Sequence, residues 1–146
     1  MIGQPLGLAL VGLSLIGATD AGEDSLKGDL AKLQGTWEII SMEAEGKEVP
    51  KVEYSGVQWV FDGNKIIAVR KGERREQATF TLDERKDPKQ LDTTGKDDGD
   101  VLHGIYQLDG DHLKLCLSKK EGDRPKEFVT KPGSEHGLLI LKRQKR

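Results

Sequence analysis

Gly35-Thr36-Trp37-Glu38-Ile39-Ile40 is the stretch on which the reading of this chain turns. A glycine ahead of an apolar, strand-like run marks the place where a helix ends and a strand begins. The indole that follows it is a large apolar side chain of the kind a core buries. Upstream, Asp24 to Leu33 carries Leu26, Leu30 and Leu33 at spacings of four and three, which predicts a short amphipathic helix terminated by Gly35.

Downstream the period is two. Val57, Trp59 and Phe61 share a face, and Asp62-Gly63-Asn64 predicts a hairpin into Lys65–Arg70. Lys71-Gly72-Glu73 turns the chain into Arg74–Leu82, where Ala78, Phe80 and Leu82 share a face. Asp87-Pro88 interrupts before a short run at Gln90–Thr94, and Val101–Leu108 and His112–Ser118 flank the hairpin Asp109-Gly110-Asp111. Val49 to Gly56, with Pro50, reads as a loop or one helical turn across an end. A short strand around Phe128 and a last strand, Gly137–Arg143, complete the series.

Strands in hairpin order, with no helix long enough to join parallel neighbours, predict an all-β fold: an antiparallel up-and-down barrel of about eight strands with a short N-terminal helix. Trp37, Trp59, Phe61, Phe80, Leu102, Tyr106, Leu113, Leu115 and Ile140 are the expected inward side chains. A barrel of this size is either filled by side chains or holds one small ligand.

The chain has 146 residues, 33% of them charged and 35% hydrophobic, as expected of one domain with a modest core. With 23 Lys and Arg against 25 Asp and Glu, the charge supplies no case for a nucleic-acid partner. The basic end Lys142-Arg143-Gln144-Lys145-Arg146 reads as a solvated terminus. Leu6 to Gly17 is an apolar run too short to span a bilayer but of signal-peptide length, and Thr19-Asp20-Ala21 offers a small-x-small cleavage site. Residues 1–21 are therefore expected to be a signal peptide and 22–146 the barrel domain, exported to the periplasm or cell envelope. No Lys or Arg precedes Lys27, so an N-terminal helix packed on the domain, a membrane tether or a cytoplasmic chain stands as the alternative.

The chemistry is sparse. Cys116 is the single cysteine, so no internal disulfide is available, and its neighbours Leu115 and Leu117 provide no base to activate it. His103, His112 and His136 lack metal-site spacing and read as surface imidazoles. Asp92, Asp97, Asp98 and Asp100 lack the ordered ligands and closing Glu of a calcium loop, and the 18 glycines form no phosphate cradle. The residues thus predict no enzyme, no cofactor and no metal.

Three segments carry a resemblance. Leu33-Gln34-Gly35-Thr36-Trp37, Gly104-Ile105-Tyr106-Gln107-Leu108-Asp109-Gly110-Asp111 with Leu113-Lys114-Leu115-Cys116, and Lys131-Pro132-Gly133-Ser134 ahead of Leu139-Ile140-Leu141-Lys142-Arg143 resemble the small lipocalin-like domain family abundant in planctomycete bacteria, from about residue 29 to the end. The resemblance implies an exported or envelope-associated barrel whose role is uncharacterised, and it brings no catalytic residues. Lipocalins set a basic side chain from near the last strand against the Gly-x-Trp indole. The similar set here is Gly35 and Trp37 with Lys142 or Arg143, a barrel closure in which a cation stacks on the indole face.

Two functions follow as expectations. The first is a monomeric carrier or sensor for a small apolar or amphipathic molecule, with Trp59, Phe61, Phe80 and Tyr106 lining the mouth opposite the closed end. The alternative is a filled barrel serving as an envelope protein-interaction module through its outer face or loops.

Overall fold

The structure, a computed structural model, describes residues 26–145; the expected leader lies outside them. The elements are α1 (Gly28–Leu33), β1 (Gly35–Ala44), the two-residue β2 (Lys47–Glu48), a 3₁₀ turn (Lys51–Glu53), β3 (Val57–Asp62), β4 (Lys65–Arg70), β5 (Glu73–Asp83), β6 (Lys89–Gly95), β7 (Val101–Asp109), β8 (His112–Ser118) and β9 (His136–Arg143). Each of β3 to β9 pairs antiparallel with the next, β1 pairs with β3, and β9 returns to β1 with Leu141 opposite Ile39. Eight strands therefore close a barrel, and β2 is a short flap on β1. Closure satisfies the edge hydrogen bonds that an open sheet would leave free.

The alternation decides what fills the interior. Trp37 packs edge-on to Phe61 with ring centroids 6.4 Å apart, and Phe61 edge-on to Phe80 at 5.5 Å. Leu91, Leu113, Leu115 and Leu141 are buried around this ladder at the end nearer α1. Tyr54, just after the 3₁₀ turn, is buried in the same core. In β1 the register with β9 shifts between Ile39 and Ser41, so that beyond the outward Ile40 it is Met42, not Ser41, that packs on the core. One extra residue in a strand reverses the facing of everything beyond it.

Three expectations are corrected. The described helix begins at Gly28: Lys27 is extended and Gly28 sits at φ +59, which takes Leu26 out of the helical stripe, while Asp24, where the expected helix starts, lies outside the described residues. No strand forms around Phe128, because residues 119–135 cross the outside of the barrel as a loop and find partners there. Arg124 Nη1 donates to the Gly104 carbonyl at 2.7 Å, the Lys114 ammonium lies 5.6 Å from the Phe128 ring, and Pro125 is fully buried. Ile140 faces outward, since it pairs with Lys114, while Leu139 and Leu141 point in.

That overlying loop explains Cys116. Its thiol is on the outer face of β8, fully buried, with Sγ 3.7 Å from the Val129 carbonyl oxygen, and burial pushes its pKa up to about 11. A thiol this protonated and shielded is a poor nucleophile. Labelling with an aromatic disulfide reagent at pH 8 should be slow in the folded protein and immediate in denaturant; fast labelling of folded protein would show the loop to be detached.

Candidate functional site

The ends of the barrel differ in kind. At the end carrying α1, the carbonyls that a six-residue helix leaves unpaired are met by side chains. Gln34 Nε2 donates to the Leu30 carbonyl at 3.0 Å, Trp37 Nε1 to that of Leu33 at 2.8 Å, and Arg143 Nη1 to that of Gln34 at 3.0 Å. Arg143 also donates to the Lys32 carbonyl and, at 3.2 Å, to the Asp111 carboxylate. Its guanidinium carbon lies 4.4 Å from the centroid of the Trp37 ring, a cation on an indole face. Gly35, at φ +119, makes the turn that brings the helix over the barrel. Of the two basic candidates Arg143 is the partner, because it is directly opposite Trp37 in the β1–β9 ladder; Lys142 is opposite Glu38 and exposed.

A buried charge sits beneath the same helix. Asp29, 3% exposed, accepts from the Tyr106 hydroxyl and from the Lys89 ammonium, both at 2.8 Å, and its backbone N–H donates to Glu84 at 3.1 Å. Burial alone would raise the Asp29 pKa, but the hydrogen bonds from Lys89 and Tyr106 outweigh it and hold the carboxyl below its usual value. The Tyr106 hydroxyl is pushed well above its ordinary range by burial and by the carboxylate it donates to. This group ties the helix to β6 and β7.

The opposite end opens into a cavity of about 480 Å³. Met42 of β1, Trp59 of β3, Ile66 of β4, Ala78 of β5, Leu102 of β7, Leu117 of β8 and Leu139 of β9 make its wall predominantly apolar. Gln77, Thr93, Gly95, Asp98, Asp100 and Lys119 supply the polar atoms. This volume and composition fall in the range of small-molecule sites.

The four side chains expected to line that mouth do not gather there. Trp59 does, edge-on to Phe61 at 6.3 Å. Phe61 and Phe80 each lie one inward position nearer the helix and are almost completely buried in the core ladder. Tyr106 belongs to the Asp29 group at the closed end. Sequence reasoning missed Met42, Leu117 and Leu139 as lining residues, and Thr93 altogether; Leu91 is the single apolar side chain in β6 to announce which face looks inward.

Two groups of titratable side chains on the outside are engaged with one another. His103 Nδ1 and Arg124 Nη2 meet Asp92 Oδ1 at 3.0 and 2.8 Å. His136 Nε2 is 2.6 Å from Asp123 Oδ2, which also accepts from the Ser118 hydroxyl at 2.7 Å; these bonds lower the Asp123 pKa. The carboxylate stands between hydroxyl and imidazole, whereas a histidine that activates a serine must itself stand between the serine and the carboxylate. His112 is exposed. Asp92 is on the outer face while Asp98 and Asp100 are at the mouth, so the acidic residues do not converge, and no group of three or more potential ligands among the described residues could hold a metal. None of the described helices is long and apolar enough to cross a membrane. Comparison with protein families, with curated proteins and with solved structures returns no match, so the geometry carries the functional argument.

Proposed function

We propose that this chain is a non-enzymatic, lipocalin-like binding protein of the planctomycete type, and that it takes a small apolar or amphipathic molecule into the open end of its barrel. The cavity of about 480 Å³ is the observation that carries this reading: apolar walls from seven strands surround a space that the Trp37–Phe61–Phe80 ladder leaves unfilled. Apolar surface around an opening of this kind gains free energy when a ligand displaces water from it. Residues 1–21, read as a signal peptide, would deliver the domain to the periplasm or envelope, where a monomer could carry or sense such a molecule.

Tryptophan fluorescence tests the reading. Trp59 lines the cavity, whereas Trp37 is fully buried against Arg143, so a ligand should quench Trp59 alone. Titration with fatty acids, sterol-like compounds and pigments should give saturable quenching that Trp59→Phe abolishes, and Trp59→Ala should weaken binding about tenfold by removing buried apolar contact. A flat response across the panel would reject the carrier and favour the envelope interaction module.

A further inference from the structure

The cavity wall contains one polar group out of keeping with its surroundings. Thr93 is on the inward face of β6, between Phe80 of β5 and Leu102 of β7 in the ladder. It is 6% exposed, it lines the cavity, and its hydroxyl makes no hydrogen bond to any other described residue. Among the other polar lining groups, several are engaged within the protein, while the Lys119 ammonium and the Asp100 carboxylate line the cavity without a hydrogen bond to a described residue. Gln77 Nε2 donates to the Arg75 carbonyl at 3.4 Å, Gly95 N–H to the Asp100 carbonyl at 2.9 Å, and the Gly95 carbonyl accepts from Gly99 at 3.1 Å. At the rim, Asp98 Oδ1 accepts the Asp100 N–H at 2.8 Å.

A buried hydroxyl without a partner is unfavourable, and valine would fill the same strand position with equal β-propensity and no such penalty. We infer that Thr93 is a specificity-determining residue of the cavity, recognising a ligand whose apolar body carries a hydroxyl or comparable hydrogen-bonding group in its buried portion. The inference rests on the binding function proposed above and narrows its ligand class. A purely apolar molecule would bury the Thr93 hydroxyl permanently unpaired, whereas a hydroxylated one exchanges hydrogen bonds with it in either direction. The discrimination is of the kind expected where a site's own polar atom is stranded by the wrong ligand.

The test uses two probes of equal shape, 2-naphthol and 2-methylnaphthalene, titrated against wild type, Thr93→Val and Thr93→Ser, with thermal unfolding of each protein free of ligand. Wild type should prefer the naphthol by about three- to tenfold, the equivalent of one hydrogen bond. Thr93→Ser should keep that preference and Thr93→Val should abolish it, while Thr93→Val unfolds at the wild-type temperature or above. An undiminished preference in Thr93→Val, or a marked loss of its thermal stability, would overturn the role given to Thr93 and leave the binding function standing. Failure of wild type to bind either probe would overturn the ligand class assigned here, and with a flat response across the panel above it would remove the binding function as well.

Discussion

Trp37→Ala should lower the unfolding free energy by about 3–5 kcal/mol, the range for truncating a large aromatic side chain in a packed core. Three losses coincide at this position. The indole is completely buried and its edge contact with Phe61 disappears; its Nε1 no longer donates to the Leu33 carbonyl; and the Arg143 guanidinium loses the ring on which it lies. Trp37→Phe restores much of the volume without the N–H and should recover part of the loss. Arg143→Lys separates the cation from the fork: a lysine can still present charge to the ring but cannot serve the carbonyls of Lys32 and Gln34 together. It should therefore be destabilising by about 1 kcal/mol, from the lost hydrogen bonds and the weaker stacking on the indole. Urea denaturation of the three variants measures the series. Should Trp37→Ala stay within about 1 kcal/mol of wild type, the indole is not what closes this end.

Asp29→Asn should cost about 2–3 kcal/mol near neutral pH, because it keeps the shape but removes a carboxylate that receives two charge-strengthened hydrogen bonds, from Lys89 and Tyr106. The pH dependence follows from the direction of the shift. The folded Asp29 pKa is lowered, so its contribution is complete above the unfolded carboxyl value, near 3.8, and is lost as pH falls through the lower folded value. The gap between wild type and Asp29→Asn should then be constant from about pH 5 to 8 and narrow as the pH falls below about 4. Lys89 and Tyr106 are both raised, and their contribution is present below their unfolded values and lost only at strongly alkaline pH. Urea midpoints of both proteins at a series of pH values decide the matter. A gap that persists unchanged at pH 3 would mean that the carboxylate is not the anchor of the helix.

The strand boundaries were legible because turn chemistry is local. Gly63-Asn64 and Gly110-Asp111 mark two-residue turns, and Val57-Trp59-Phe61 states its facing without ambiguity. Ile140 was misread because Leu138-Leu139-Ile140-Leu141 is continuously apolar, and such a run carries no parity of its own. Tyr106 was assigned correctly to the interior and wrongly to the mouth, since alternation reports the side of a strand and not the depth along the barrel. The ion group under the helix left no local mark: Asp29 on a six-residue helix resembles any solvated carboxylate until Lys89 and Tyr106 arrive from 60 and 77 residues away.

By itself, then, the order of apolar and turn-forming residues determined that this chain would fold as an antiparallel barrel with a short helix ahead of it, and the closure at Gly35-Thr36-Trp37 was implied by the lipocalin resemblance. Period, turn type and the helix stop are properties of neighbouring residues. Only the tertiary structure decided that Arg143 and not Lys142 completes the closure, that Phe61 and Phe80 are core and not lining, and that Thr93 faces an apolar cavity without a partner. Each of these depends on strand register, which is set by hydrogen bonding between segments distant in the chain and shifts by a residue at every bulge.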